Sequence, residues 1–291
     1  MSMKTNNFIS FLVFFILATV SLTAQQNPSG FLGSPNAYLG QKPPTDAAVK
    51  FNLPVSSGAF AIDRIAVSSG GKDIYFTEIL GGQPTVKCVK FVDGKWRDPI
   101  TLFAGFSSPA LSPDGTTLYF QNLSKTCWYS KREGAGWGAP IRLTDKAVLQ
   151  HYPQVTNSGQ IFVASTPVFG RKADVSKLTL VSGDVTVQSL GAPVNSVNNG
   201  FDFYIARDES YVIVILLNVG FGAGDQYISF NKNDGGWTVP VNLGPSINSS
   251  EWEYGPYVSP DGKYIFFTRD EERAVFWARI DTVLNNLKKK Q

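Results

Sequence analysis

The sequence is short of the residues on which most enzymatic nucleophiles and metal centres depend. In 291 residues it has one histidine, His151, and two cysteines, Cys88 and Cys127. One histidine is poor support for a nucleophilic triad. No H-E-x-x-H and no paired-cysteine motif occurs, so no zinc site, other metal or cofactor is expected. The G-x-S-x-G elbow of α/β-hydrolases is also missing. Glycine-rich "NVGFGAGDQ" (218–226) lacks the lysine and following helix of a phosphate loop and reads as a connection between two strands. Charge is scarce: 17% of residues, with a formal net charge of +3. A nucleic-acid binder would need a clustered basic face. The one basic run, Lys288-Lys289-Lys290, sits in the 283–291 tail. Long apolar runs are few as well. "FISFLVFFILATV" (8–20) follows Lys4 and precedes a small-residue site at Ala24; it is too short and too early for a comfortable transmembrane span. Residues 1–24 are therefore expected to be a signal peptide. No cysteine follows for lipid attachment. The expected product is a periplasmic or secreted chain without a membrane span, and a monomer.

Aromatics, by contrast, reach 13% and suit a β-rich fold. They fall into a repeat. "IAVSSGGKDIYFTE" (65–78), "PALSPDGTTLYFQ" (109–121), "PQVTNSGQIFVAS" (153–165), "FYIARDESYVIVILL" (203–217) and "PYVSPDGKYIFFT" (256–268) each read as strand, tight turn, strand. The residues before the turns are Val67, Leu111, Val155, Ile205 and Val258. Downstream, "GKWRDPITL", "AGWGAPIRL" and "GGWTVPVNLG" share a Trp with Pro three residues on; "GDVTVQSLG" is a degraded copy. A further strand precedes each, so one unit is four strands. This is the signature of a β-propeller blade.

The expected fold is an all-β propeller over 47–282 with five blades counted and a sixth left open. The fifth unit lacks its outer strand, while "AAVKFNLPVS" (47–56) is a spare one. Open sheet edges are a liability, so the spare strand is expected to complete the last blade and close the ring. Residues 25–46 read as a leader, and Asp281 as the cap of a short terminal helix. Cys88 and Cys127 lie at even offsets from Trp96 and Trp137 in equivalent strands, which keeps them apart as two buried thiols. Trp96, Trp137 and Trp237 read as packing residues.

The P-x-x-SPDG-K-x-I-x-F pattern, near complete at 256–267 and good at 109–120, resembles the TolB-like, WD-repeat-like propeller repeat. The resemblance covers nearly all of the chain after residue 24. It implies a propeller and little about activity, because the fold hosts binding platforms, gating domains and hydrolases. TolB has six blades and a separate N-terminal domain, neither of which is matched here, so its role in envelope assembly does not carry over. Sialidase Asp boxes place Gly two residues after Asp, whereas Asp114-Gly115 and Asp261-Gly262 are adjacent.

Asp261 of the SPDG turn has counterparts such as Gly70 and Ser158, so it reads as a turn residue. Function is expected upstream, where the chain enters each inner strand. Asp63, Arg64, Gln150, His151, Asp202, Trp252 and Glu253 fall there and would ring one mouth of the channel. Opposed charges beside an exposed aromatic suit a protein segment or a glycan. The expectation is a non-catalytic binding module. The alternative is a carbohydrate-active hydrolase working through Asp63, Asp202 and Glu253.

Overall fold

The computed structural model describes residues 30–144, 150–166, 173–181, 184–232 and 235–288. The expected signal peptide and the last two lysines of the basic run lie outside them.

Five antiparallel sheets form the five blades. Blade 1 comprises β2 (Phe60–Val67), β3 (Asp73–Leu80), β4 (Gln83–Val92), β5 (Lys95–Trp96) and β6 (Ile100–Ala104). Blade 2 comprises β7 (Phe106–Leu111), β8 (Thr117–Asn122), β9 (Cys127–Glu133), β10 (Gly136–Trp137) and β11 (Ile141–Arg142). Blade 3 is β12 (Gln150–Val155), β13 (Ile161–Ser165), β14 (Asp174–Val181) and β15 (Asp184–Ser189). Blade 4 is β16 (Asn199–Ile205), β17 (Tyr211–Leu217), β18 (Gly224–Phe230) and β19 (Val241–Asn242). Blade 5 is β20 (Glu253–Val258), β21 (Tyr264–Arg269) and β22 (Ala274–Arg279), followed by helix α1 (Asp281–Lys288). Every inner strand ends on the residue that the repeat marks. Strand β1 (Val49–Lys50) pairs with β22 through Val49–Trp277 and Lys50–Phe276, so the chain start closes the ring as expected. Among the described residues, no helix is long and apolar enough to cross a membrane.

The fourth strand is less regular than the repeat implies. In blades 1 and 2 it is cut into two pieces around Pro99 and Pro140, and in blade 4 an isolated bridge at Trp237 precedes Pro240 and β19. Proline has no N–H for the ladder. Blade 3, which lacks the Trp-x-x-Pro motif, keeps a continuous outer strand in β15. The repeated tryptophans pack as expected. Trp96 lies between Phe91 and Phe31 and donates Nε1–H to the Asn36 carbonyl, Trp137 sits under Arg132, and Trp237 is buried. Cys88 and Cys127 are both free and buried, in separate hydrophobic clusters.

The SPDG stretches are turns. A backbone bond closes each corner: Gly71 to Ser68, Gly115 to Ser112, Gly159 to Thr156, Glu209 to Ala206 and Gly262 to Ser259. This sets the fourth turn at Ala206–Glu209, directly after Ile205, and aligns Asp208 with Asp114 and Asp261. All three carboxylates accept the backbone N–H two residues on. Asp261 also receives the Tyr38 hydroxyl, which ties the leader to this end of the molecule. Glu209 holds φ +59° where the other copies have Gly; its carboxylate is gripped by Thr156 and Ser158 of blade 3.

Each inner strand slips register against its neighbour at one depth: between Ile62 and Ala66, Ser107 and Ala110, His151 and Gln154, Asn199 and Phe203, and Tyr254 and Tyr257. Such bulges free backbone N–H groups. Neighbouring blades take them up. Thr77 accepts from Ser108, Gln121 from Tyr152, Gln154 from Ile205, and Asp202 from Gly255. The last joint is made by Tyr257, whose hydroxyl bonds the N–H and carbonyl of Val67, and by Thr268, which donates to the Asp63 carbonyl. Gly255 carries the tightest constraint. Its φ is +64°, and a Cβ there would stand 2.8 Å from the backbone of Asp63 and Arg64 in blade 1. Gly255→Ala should cost well over 2 kcal/mol in urea unfolding. Gly58→Ala, also at positive φ but in open space, should cost only about 1 kcal/mol.

Candidate functional site

Strand order places the site. In each antiparallel blade the connections alternate between two ends. The SPDG-type turns share one end with the leader. The connections into the inner strands and the loops between second and third strands share the other. A cavity of about 410 Å³ opens at that second end. Asp63, His151, Asp202 and Trp252 line it, from blades 1, 3, 4 and 5, with Tyr152, Phe201, Ile215 and Tyr254. Lys125, Thr166 and Asp270 reach it from the loops after second strands.

The structure thus brings together four of the seven residues expected at the mouth. Arg64, Gln150 and Glu253 sit behind the lining at 1%, 1% and 0% exposure. Glu253 is committed elsewhere: it pairs with Arg269 at 3.1 Å and receives the Ser249 hydroxyl and N–H. Arg64 lies with its guanidinium 5.4 Å from the centre of the Tyr152 ring. None of its nitrogens has a hydrogen-bond partner among the described residues. Burial lowers its pKa to about 10, opposed by Tyr152, Asp202 and Asp63, so it stays charged. Lys125 stands 6.0 Å from the same ring.

A hydrogen-bonded chain forms the cavity floor. Tyr152 donates its hydroxyl to Asp63 Oδ1 at 3.3 Å, and Ser108 donates to Asp63 Oδ2 at 3.1 Å. Gln121 Nε2 donates to Ser108. Asp202 lies near the same Tyr152 hydroxyl and accepts Gly255 N–H at 2.8 Å. Three of these residues, Asp63, Ser108 and Tyr152, hold positive φ at +65°, +56° and +53°. Left-handed backbone is costly for side chains of this size. The bulges and the interblade bonds hold it in place.

Electrostatics follow from burial. Desolvation first, and then the nearby Asp63 charge, push Asp202 up to about 7. Desolvation lowers His151 to about 3, helped by Lys125 and Arg64, so this imidazole is neutral at physiological pH. Its Nδ1 has no partner among the described residues.

Trp252 is held as a platform. Its backbone bridges Gly224, Ala223 donates to the Glu251 carbonyl, and any Cβ at Gly224 would collide with the indole ring. Asp225 accepts the N–H groups of Phe221 and Gly222 and pins the glycine-rich loop. That loop joins β17 to β18, as expected. Tyr254 packs against Trp252 with ring centres 5.7 Å apart. Among the described residues no group of three His, Cys, Asp or Glu side chains could hold a metal ion.

The pH dependence of stability carries a defined sign. Asp202 holds a proton in the fold that the unfolded chain releases from about pH 4. Its contribution therefore falls as pH rises from about 4 to 7, then levels. His151 acts oppositely between about pH 3 and 6.5, since only the unfolded chain protonates it there. The difference between wild type and Asp202→Asn isolates the first effect. The variant should gain a few kcal/mol relative to wild type between pH 4.5 and 7.5, measured by denaturant melts.

No protein-family model matches the chain, and no curated protein matches it in sequence. Solved structures do match in fold. The putative TolB of Agrobacterium tumefaciens superposes with a TM-score of 0.50 at 14% identity, over 75% of this chain and 74% of that one. TolB of Acinetobacter baumannii gives 0.49 at 15% identity; 75% of this chain is covered, but only 54% of TolB. An oligogalacturonate lyase of Vibrio parahaemolyticus gives 0.44 at 13%, over 78% and 67%. At these identities the likeness speaks to architecture alone. The chain is a five-bladed β-propeller, TolB-like in fold.

Proposed function

We propose that this chain is an exported, non-catalytic binding module that takes its ligand in the cavity at the channel mouth. One observation carries the reading: four blades converge on a concave site that combines a fixed, 36%-exposed Trp252 with Asp63, Asp202 and His151. Binding sites are typically concavities of this size with a few convergent polar groups. Export rests on the signal peptide expected at residues 1–24.

The hydrolase reading is weaker on the same geometry. It loses Glu253 to Arg269. Both oxygens of Asp63 already accept protein hydroxyls, and Asp202 is bonded to the Gly255 backbone. These carboxylates act as struts between blades, with no attacking water or leaving group needed to explain their placement.

Of the two ligand classes expected, a glycan fits the cavity better than a protein segment. The lining sets aromatic faces beside polar side chains, an arrangement that matches sugar rings. The test is capture by the purified protein on a glycan array, alongside pull-down from envelope extracts. Trp252→Ala should reduce capture at least tenfold. Glu253→Gln should leave capture unchanged while lowering stability by a few kcal/mol, because it disturbs a buried ion pair. Capture that survives Trp252→Ala but vanishes in a still-folded Glu253→Gln would reverse the assignment.

A further inference from the structure

We propose that the ligand is an uncharged, linear oligosaccharide, seated with one ring on Trp252 and continuing outward over Phe221 as a second stacking position. This rests on the binding reading above and gives it a chemical class and a direction.

The charge balance selects an uncharged ligand. The lining holds the carboxyls Asp63, Asp202 and Asp270 against Lys125, with Arg64 directly behind Tyr152. Asp202 is kept from full ionisation by burial and by the nearby Asp63 charge. The two remaining carboxylates face two cations, and the local charge is close to zero. An anionic ligand would meet carboxylates at short range, and a cationic one would meet Lys125 and Arg64. A hydroxyl both donates and accepts, so it can use groups of either sign. The neutral His151 lines the cavity at 5% exposure and adds no charge to the wall; its Nδ1 is itself buried.

The aromatic distribution gives the direction. Among the described residues, the Phe and Trp side chains that are exposed are Phe201, Phe221 and Trp252. All three lie at the cavity end; the opposite end, with its turns and leader, has none. Clustered exposed aromatics mark interaction surfaces. Phe201 and Trp252 line the cavity, whereas Phe221 stands outside it at 51% exposure. Phe221 is not adrift. Its N–H is held by Asp225, and the next residue, Gly222, lies so close to the Ser249 and Glu251 carbonyls that any Cβ would collide. The loop therefore fixes Phe221 beside the segment that carries Trp252. A single sugar would use only Trp252, and a chain would reach both.

The experiment is calorimetric titration with a panel of neutral sugars (glucose, galactose, mannose and their linear β- and α-linked tetrasaccharides). Tetragalacturonate and a glucosamine tetramer serve as charged controls. At least one neutral tetrasaccharide should bind tenfold or more tighter than its own monosaccharide and than either charged control. Trp252→Ala should lose tenfold for monomer and tetramer alike. Phe221→Ala should lose threefold or more for the tetramer and leave the monomer unchanged; circular dichroism checks that both variants fold. Equal or tighter binding of a charged control, an unchanged tetramer-to-monomer ratio in Phe221→Ala, or no binding across the neutral panel each overturns this inference. If a protein ligand is still captured in a Trp252-dependent way, the binding reading stands without it. If nothing is captured through Trp252, both fall.

Discussion

The structure depends on one polar chain across the propeller axis: Ser108 bonds Asp63, Asp63 bonds Tyr152, Tyr152 stands beside Asp202, and Asp202 bonds Gly255. It takes one residue from each blade, always from the inner-strand bulge. Without the bulges these groups would sit in ladder positions and could not meet. The phenol of Tyr152 has one proton for two carboxyls. Burial and the Asp63 charge favour a proton on Asp202, while the Gly255 bond that helps close the ring opposes that rise in pKa.

The same chain explains why the mouth carries carboxyls yet is nearly uncharged. Carboxylates at a channel entrance invite an enzymatic reading, but here their oxygens are spent on neighbouring blades. What remains free to meet a ligand lies above the floor: the Trp252 indole, the neutral His151, and Lys125 and Asp270 on separate loops. Blade-to-blade bonding fixes the floor, and a pinned glycine loop fixes the wall.

Much of the fold was legible in the sequence because blades repeat. The residue before each turn marks the end of an inner strand, and the spare strand near residue 49 matches the missing one after Arg279. The outer strands were legible only in part. Trp-x-x-Pro is visible in three units, and the proline that helped define the repeat is what breaks the strand. At the mouth, simple alternation misleads. A bulge lets adjacent residues face the same side, so His151 and Tyr152 both line the cavity, as do Phe201 and Asp202. Lys125, Thr166 and Asp270 fall outside the expected set because they sit on loops after second strands and not on the chain entering inner strands. Their signal was available: each follows the second strand of its unit, and strand alternation returns that loop to the same end. Tyr152 reads as an aromatic strand residue, and nothing local announces its role between two acids.

The ring is closed by very little chain. Strand β1 has two residues, yet it pairs with a strand more than 220 positions away, where Val49 meets Trp277. Phe51 and Tyr38 wedge against that Trp277 and Phe266. Contacts so distant in sequence form late, since chain entropy must be surrendered before they return anything. Residues near the start of the chain therefore wait, unpaired and aromatic-rich, until the last blade has been made. For that interval the growing propeller carries an open edge at each end, and its exposure to wrong partners is set by how fast the final thirty or so residues arrive.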